Sequence, residues 1–439
     1  MSRILFNCYD SHVHWQATGE HTERLTLKHL KSAEDLAQLA PQPHHYRGDW
    51  LTGWGWDQNQ WTPPEFPTAA QLDRFFPDSP VAFTRADGHA MWINSEALRR
   101  IPVEQLVGFS RDGQGGRVVR DESGSPTGIL IDNAMSMVRA LIPPPPAALV
   151  RRWLKTGMQV FNSNGFTHIR DLSCDWTQWR EARALEESGE LTLAVEQYFD
   201  ADPFEHFDRA LEWADRARQE NSRLLRVAGI KVYYDGALGS EGALLSHPYR
   251  SGEAGLRLMT PQQVREAATR AWQAGFDLAV HVIGDLAAHE VVSTAVDLWQ
   301  QGLKGRLHLE HAELLRPETA ELLKGRNVVC HIQPCHWLTD REWLQEKIGG
   351  LAKFAFPWAL LQRYGIPFDF GSDSPIEPPH LRLTRASVDD SANAGVDKLA
   401  GDPFDYHQHP DRDWTPGTQT RLDGDQVSRV TFMGRDLIF

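Results

Sequence analysis

The stretch YDSHVHW, residues 9–15, places two histidines, His12 and His14, two positions apart near the start of the chain. On a β-strand the side chains alternate between two faces, so these histidines share one face and Val13 points to the other. Two imidazoles on one face are costly to bury without a partner. A metal ion is such a partner, and a purely structural role for the pair is the alternative.

Seven further short runs of apolar or β-branched residues follow, and most of them precede a helical pattern. TPQQVREAATRAWQAG, for example, has Thr260 to cap a helix at its start and Gly275 to end it. Strand and helix alternating eight times predict an α/β fold, a parallel (β/α)8 TIM-like barrel, with a doubly wound open sheet as the rival. The eight predicted strands are ILFNCYDSHVH (4–14), GFTHIRDLS (165–173), LTLAVEQYF (191–199), GIKVYYDGA (229–237), FDLAVHVIG (276–284), RLHLEHAEL (306–314), NVVCHIQP (327–334) and IPFDFGSDSP (366–375).

One interval interrupts this alternation. Residues from about 15 to 146 separate the first two strands, and we interpret them as a large insertion after strand 1. The barrel with its insertion is predicted to span residues 1–400. Residues 401–439 form a turn-rich C-terminal segment that ends in strand-like alternation, DGDQVSRVTFMGRDLIF.

Composition and charge narrow the class of protein. The 439 residues include 45 Lys and Arg against 59 Asp and Glu, a net charge of -14, which argues against a nucleic-acid surface and against binding to anionic lipid. No run of eighteen apolar residues is present, and the apolar stretch at the N-terminus is too short for a signal peptide. The four cysteines form no CxxC pair. We therefore expect a cytoplasmic protein that acts on a small molecule.

Polar residues stand at the C-terminal ends of the predicted strands, where barrel enzymes gather their active sites. Imidazole nitrogen and carboxylate oxygen are ligands that zinc and similar divalent ions favour. A buried lysine loses its proton readily, and the free amine can add carbon dioxide to form a carbamate able to bridge two ions. Taken singly, each residue has an ordinary explanation: the lysine can snorkel to the surface, a histidine can be a core residue, and GSD can be a turn. Their joint placement at the strand ends favours a metal site. The residues are His12, His14, Lys231, His281, His311 and Asp373.

Several segments together resemble the amidohydrolase superfamily. DSHVH, GIKVYYDGALGSEGA, HVIGD, LEHA and FGSDSP carry the resemblance, and GWGWDQNQW, RADGHAMWINSEAL and QPCHW narrow it to the amidohydrolase-3 branch, which includes YtcJ-like proteins and N-substituted formamide deformylases. The resemblance covers about residues 9–380 and implies a metal-dependent hydrolase with two divalent ions, zinc being the expected metal. It also implies how the ligands divide: His12, His14 and Asp373 on the more buried ion, His281 and His311 on the more exposed ion, and carbamylated Lys231 between them.

The expected chemistry is cleavage of an amide-type C–N bond by a metal-bound hydroxide. Asp373 is predicted to be the catalytic residue that takes a proton from the hydroxide and delivers it to the leaving amine.

A second set of residues is predicted to contact the substrate or to orient the ligands. The four members from the insertion either form an aromatic substrate wall or only pack the insertion. Asp235, like Asp285, lies four residues past a ligand and either orients it or caps a helix. Gln333 and His336 match the branch's QP..H pattern, whereas His331 is interpreted as structural. The substrate-binding candidates are Trp54, Trp56, His89, Trp92, Asp235, Gln333 and His336.

Two departures from the superfamily pattern are visible. Its members usually carry a β-sandwich built from both chain ends, but here only about eight residues precede the first histidine strand, so we expect the N-terminal half to be missing and the C-terminal half to be a remnant. An apolar edge left uncovered would suit a homo-oligomer. The unusual YHQHP (406–410) places His407 and His409 either in the pocket, on an accessory ion or in a surface loop.

Two other functions remain open at this point. A mononuclear deaminase of amino-heterocycles uses a similar histidine set on the same barrel, but usually with a glutamate beside one later histidine and without a bridging lysine. The other alternative is a binding or regulatory homologue, which would keep the barrel scaffold but have lost the catalytic activity.

Overall fold

The computed structural model describes residues 2–86, 88–108, 116–396 and 398–439, with the backbone alone for residues 107 and 108. These residues form two compact units. The barrel unit contains the residues up to Gly19 and Arg151–Phe439, and the insertion unit is Glu20–Val150. The insertion is therefore a unit of its own rather than part of a domain spanning residues 1–400.

Strands and helices are numbered along the chain. The strands are β1 (Ser2–Phe6), β2 (Tyr9–Val13), β3 (Tyr46–Arg47), β4 (Trp50–Trp56), β5 (Val81–Arg85), β6 (Ala90–Ile93), β7 (Gly116–Arg120), β8 (Pro126–Asp132), β9 (His168–Cys174), β10 (Ala194–Asp200), β11 (Leu225–Tyr233), β12 (Asp277–Val282), β13 (Leu307–His311), β14 (Val328–Ile332), β15 (Phe368–Phe370), β16 (Gln419–Asp423), β17 (Gln426–Phe432) and β18 (Arg435–Asp436).

The α-helices are α1 (Trp15–Glu23), α2 (Ala69–Asp73), α3 (Ser95–Arg100), α4 (Val103–Gly108), α5 (Ser136–Arg139), α6 (Ala147–Ser163), α7 (Trp176–Glu187), α8 (Phe207–Arg218), α9 (Pro261–Gln273), α10 (Asp285–Gln300), α11 (Pro317–Leu323), α12 (His336–Asp340), α13 (Leu344–Ile348), α14 (Trp358–Tyr364) and α15 (Leu381–Asn393). Over the described part of the chain, none of them has the length and the apolar character needed to cross a bilayer.

Eight parallel strands form the barrel sheet, in the order β15-β14-β13-β12-β11-β10-β9-β2. A parallel bridge between Val13 and Ser374 joins the two ends of the sheet, so the barrel is nearly closed. Each strand follows its neighbour along the chain with helices between them, which confirms the (β/α)8 prediction and excludes the doubly wound sheet. Strands such as β2 and β13 are buried at every position, as expected of a parallel sheet covered by helices.

Helix α9 shows how the local sequence sets an element of the barrel. The Thr260 hydroxyl accepts a hydrogen bond from the backbone N–H of Gln263, and Pro261 occupies the first helical position. Gly275, at a φ of +78°, follows the helix and supplies the left-handed residue that ends it. Both signals were visible in the sequence, and the structure confirms them.

The first predicted strand, residues 4–14, is in fact two strands that turn apart at Asn7. Asn7 has a φ of +47°, a conformation that asparagine tolerates better than most residues, and its side-chain amide donates to the carbonyl of Asp411. The turn sends β1 out of the barrel to pair antiparallel with β16. The prediction that the N-terminal half of the sandwich is missing was therefore wrong, because β1 supplies one strand of it.

The C-terminal segment belongs to the barrel unit and does not form a separate domain. Its strands β16, β17 and β18 join β1 in one four-stranded sheet, which is the predicted β remnant. His407 and His409 lie neither in the pocket nor in a surface loop. They are 1% and 5% exposed and pack against Tyr9 at the N-terminal end of β2, through a hydrogen bond to its carbonyl and a ring contact respectively. They join the tail to the base of the barrel.

The insertion unit has its own six-stranded sheet, in the order β3-β4-β5-β6-β8-β7. The pairing is antiparallel except between β4 and β5. Trp56, Trp61 and Trp92 meet in its core, with ring centroids about 6 Å apart, beside Leu72 and Phe83. The unit therefore buries enough apolar surface to have a core of its own.

Gly371, between β15 and Asp373, lies directly against the first histidine strand. A Cβ at this position would lie 2.6 Å from the His12 backbone nitrogen and 2.7 Å from its Cβ. We expect Gly371→Ala to lower the free energy of unfolding by about 1–3 kcal/mol, because one of the two strands must shift, and to weaken metal binding. Urea denaturation and the metal-to-protein ratio measure the two effects. Gly350→Ala, in open space, is the control, and equal behaviour of the two variants would contradict the prediction.

Candidate metal centre

The six side chains predicted as ligands lie together at the C-terminal ends of the barrel strands. They line one cavity of about 410 Å³ in the barrel unit. His12 and His14 come from the end of β2 and the residue after it, Lys231 from β11, His281 from β12, His311 from β13, and Asp373 from the turn after β15. Parallel strands in a barrel present their carboxyl ends on the same side, which is why residues so far apart along the chain meet here.

Three of the six form the tightest group. Oδ1 of Asp373 lies 3.1 Å from Nε2 of His14 and 3.4 Å from Nε2 of His12. One potential ligand atom from each residue falls within 4.8 Å of the others. This group of two imidazoles and a carboxylate has the donor chemistry of a site for a divalent ion.

The other three surround the same space. The ring of His311 lies 4.4 Å from that of His281 and 4.7 Å from that of His12, measured between centroids. Nε2 of His281 and Nζ of Lys231 are buried and have no hydrogen-bond partner among the residues that the structure describes. Unpaired buried polar atoms are costly. Bound metal ions would supply the partners that these buried atoms lack, so the residues present fit a metal site.

Burial sets the protonation of these groups. It lowers the pKa of His281 to about 3 and that of His311 well below its usual value, so both imidazoles are neutral at pH 7 and have a free lone pair. It also lowers the pKa of Lys231 to about 8, although Glu310 and Asp373 oppose the shift. Burial raises the pKa of Asp373, but His12 and His14 outweigh this and hold it well below the usual range. The carboxylate is therefore ionised.

The backbone is strained where two of these residues sit. His311 has a φ of +68° and Asp373 a φ of +58°, left-handed conformations that cost about 1–3 kcal/mol for a residue other than glycine. His311 is the last residue of β13, and Asp373 lies in the turn after β15. Such strain concentrates at functional sites.

Two side chains that support the histidines are buried beneath the cavity. Nδ1 of His12 donates to Oε2 of Glu310 at 2.6 Å, and Oε1 of the same carboxylate accepts from Arg170 at 2.7 Å. This leaves Nε2 of His12 directed at Asp373. The sequence did not reveal Glu310, because alternation along β13 places it opposite His311. The positive φ of His311 brings both side chains to the same side.

We expect Glu310→Gln to weaken binding of a metal ion at the group His12, His14 and Asp373 by about 10–100-fold, because the ring of His12 loses the carboxylate that fixes its orientation. Competition with a chromophoric chelator measures the affinity. Glu321→Gln, on the exposed side of α11, is the matched control. Unchanged affinity in the Glu310 variant would show that the contact is structural only.

Gln333 and Asp235 do not contact the cavity as predicted. Oε1 of Gln333 accepts from Nδ1 of His311 at 2.8 Å, so this residue orients a histidine. Asp235 is 1% exposed and accepts from the backbone N–H groups of Leu244, Ile283 and Gly284 at 2.8–3.0 Å. Asp235 therefore fixes these loops and does not line the cavity, and its Oδ1 lies 3.9 Å from Nε2 of His281, on the side of the ligand-orienting alternative; its contact with a substrate stays a prediction.

Asp285 and His331 also form their hydrogen bonds outside the cavity. Asp285 accepts hydrogen bonds from the backbone and hydroxyl of Ser246 and does not reach a histidine of the site. His331 is buried below the cavity and shares a hydrogen bond of 2.8 Å with His308. His331 does not line the cavity, and its interpretation as a structural residue stays a prediction.

His336 does lie in the cavity wall. Its ring stacks 6.2 Å from that of His311, and its Nε2 lies 3.7 Å from Oδ2 of Asp373. The remaining wall residues carry no obvious signal in the sequence. They are Tyr233, Ala237, Leu238, Gly239, Ile283, Glu313, Thr339, Asp340, Ile376 and Glu377.

The four candidates from the insertion unit divide into two kinds. Trp56 and Trp92 are fully buried in the core of that unit and hydrogen-bonded through their indole nitrogens, which favours the packing role over a substrate wall. Trp54 is partly exposed, with Lys28 Nζ 4.3 Å from its ring centroid. His89 is exposed and hydrogen-bonded to Asp132.

A family model described as the amidohydrolase family matches residues 9–398, nearly the whole chain. The chain belongs to the amidohydrolase family. Its relatives in this family include YtcJ of Bacillus subtilis (strain 168), 31% identical over 84% of this chain and 70% of that protein. The N-substituted formamide deformylase of Arthrobacter pascens is 26% identical over 60% of this chain and 50% of that enzyme.

The amidohydrolase fold is seen in solved structures as well. An uncharacterized metal-dependent hydrolase from Pyrococcus horikoshii OT3 superposes with a TM-score of 0.71, at 26% identity over 90% of this chain and 76% of that one. Membership of the amidohydrolase family makes this protein a metal-dependent hydrolase, and that dependence implies a divalent metal.

Proposed function

We propose that this amidohydrolase cleaves the C–N bond of a small amide of the N-substituted formamide type with two divalent ions, zinc being the expected metal. His12, His14 and Asp373 would hold one ion and His281 and His311 the other, with Lys231 bridging them as a carbamate. The observation that carries the proposal is the convergence of these six side chains on one cavity, with Nζ of Lys231 buried and without a partner among the described residues.

Lys231 favours two ions over one. An ammonium group at this position would repel a metal, but burial lowers the pKa of Lys231 to about 8, so an appreciable fraction is free amine at neutral pH. Bond formation between that amine and carbon dioxide, with loss of one proton, gives a carbamate with the charge of a carboxylate. The mononuclear deaminase leaves this lysine without a role. The glutamate that such enzymes place beside a histidine is here Glu310, which is held by Arg170 and His12 outside the cavity wall.

When bound, the ions would supply a water molecule acidic enough to ionise near neutral pH and would polarise the amide carbonyl. The residues of the chain provide the remaining functions. Asp373, ionised and between His12 and His14, accepts the proton of the attacking water and returns it to the leaving nitrogen. An amine is a poor leaving group unless it receives that proton. His336 lies beside Asp373 in the wall and can hydrogen-bond the substrate.

The test combines metal and mass analysis of the protein with a measurement of substrate turnover. We expect two metal ions per chain, a native mass that includes one added carbon dioxide and loses it after bicarbonate removal, and release of formate from N-benzylformamide. One ion and an unmodified lysine would overturn the binuclear centre, and ammonia release from amino-heterocycles would then identify a deaminase. Full metal occupancy without turnover of a broad amide panel would identify a binding or regulatory protein.

A further inference from the structure

Three carboxyl side chains lie in the cavity wall apart from the six proposed ligands. Glu313 follows the end of β13, Asp340 is the last residue of α12, and Glu377 follows β15. They come from three separate elements and line one cavity, and we call them the acid wall. Neither the proposed ligand set nor the proposed proton transfer uses them.

Glu313 is the most constrained member of the acid wall. It is 4% exposed, and its Oε1 is buried without a hydrogen-bond partner among the described residues. Its side chain contacts that of Asp340. A buried carboxyl oxygen that lacks a donor is an expensive feature, so its retention beside a cavity points to a donor that arrives from within the cavity.

The protein itself supplies few donors to this wall. The hydroxyl of Thr339 has a single proton to give. Its nearest acceptor is the backbone carbonyl of His336 at 2.9 Å, ahead of Oδ1 of Asp340 at 3.2 Å and Oε1 of Glu377 at 3.3 Å. Arg341, next along the chain, pairs instead with Asp390. Within the described barrel unit, Lys231 is the one lysine or arginine that lines the cavity. The acid wall is therefore short of positive charge.

Carboxyl groups placed side by side repel one another when ionised, and a cationic donor between them removes the repulsion while forming charge-assisted hydrogen bonds. We propose that the acid wall binds an ammonium or guanidinium group of the substrate, so that the enzyme acts on cationic amides. This rests on the proposed amide hydrolysis. Leu238, Ile283 and Tyr233 line the same cavity and suit the hydrocarbon part between the cation and the amide.

Three matched substrates test the proposal on the metal-loaded enzyme. They are N-benzylformamide and its analogues with a para aminomethyl or a para carboxylate group. We expect kcat/KM to be about tenfold higher for the aminomethyl compound than for the neutral one, because a hydrogen bond between charged partners exceeds a neutral contact, and lowest for the carboxylate. A preference for the neutral or the carboxylate compound would overturn the proposal while leaving the amidohydrolase activity established.

Variants of the acid wall show whether its carboxyl groups cause the preference for the cationic substrate. Asp340→Asn and Glu377→Gln should each bring the ratio of kcat/KM for the aminomethyl and neutral substrates toward one. Glu187→Gln, which removes an exposed carboxylate at the last turn of α7, should keep the ratio of the unmodified enzyme. Glu313 is left intact because it closely follows His311. An unchanged ratio in both acid-wall variants would overturn the assignment.

A binding measurement separates this proposal from the proposed function. If no formamide is hydrolysed, the proposed function fails, and calorimetry of the metal-loaded protein still tests the acid wall with 1,4-bis(aminomethyl)benzene against 1,4-benzenedimethanol. We expect the diamine to bind about tenfold more tightly, and less so in Asp340→Asn and Glu377→Gln. Equal affinity of the two probes, or no binding of the diamine, would overturn the proposal independently of turnover.

Discussion

Asp373→Asn is expected to reduce kcat/KM for the formamide substrate by about 10²–10⁴-fold while the protein keeps its fold. The asparagine amide retains the size of the carboxylate and one oxygen near His12 and His14, but it cannot accept a proton from water and pass it to the leaving nitrogen. Steady-state kinetics with metal content measured on the same samples will show whether chemistry or metal binding is affected.

The comparison variant for this experiment is Asp208→Asn, which removes a largely exposed carboxylate on α8. It should behave as the unmodified enzyme. A metal-replete Asp373→Asn protein that keeps more than about a tenth of the activity would refute the proton-transfer role, because general acid–base catalysis contributes at least about 100-fold in typical enzymes. Activity lost together with the metal would show that Asp373 is chiefly a ligand.

Lys231→Ala is expected to lower the metal content from two ions to one per chain and to reduce kcat/KM by about 10²–10³-fold. The variant leaves a space in the cavity where the proposed carbamate would lie. Acetate added to the assay should enter that space, supply the missing carboxylate and restore part of the activity. Metal analysis and kinetics at increasing acetate concentration measure both effects.

Lys324→Ala, at an exposed position after α11, controls for the loss of a lysine side chain. It should bind two ions and show no response to acetate. Lys231→Ala protein that still holds two ions and turns over normally would rule out a bridging carbamate. Restoration by chloride at the same ionic strength would show that acetate acts by general salt effects.

The sequence was sufficient to predict the barrel and the meeting of the six side chains. The eight strands carry a strong pattern of apolar runs followed by helices, and the (β/α)8 arrangement fixes which ends meet. The proximity of a histidine at the end of β12 to another at the end of β13 can therefore be predicted without knowing their side-chain contacts. The order of strands along the chain carried this prediction.

Features that depend on single backbone angles or on loop packing could not be predicted in the same way. His311 faces the same side as Glu310 because its positive φ departs from strand alternation, and β1 leaves the barrel because of the turn at one residue, Asn7. His407 and Gln333 are polar residues that the sequence made candidates for the cavity, yet one lies at the opposite end of the barrel and the other supports His311 outside the cavity wall. Sequence position identified polar groups but not the donors and acceptors they meet.

The pairing of the two chain ends has a consequence for how the protein is made. Asp10 accepts a hydrogen bond from the Ser372 backbone although the two residues are 362 positions apart, and β1 pairs with β16 from the tail. The strand that carries His12 therefore leaves the ribosome long before the partners that fix it. Proteins are synthesised from the N-terminus at about 5–20 residues per second, so this strand waits tens of seconds. Assembly of the cavity, and hence loading of its metal, must wait until the chain has been translated beyond Asp373.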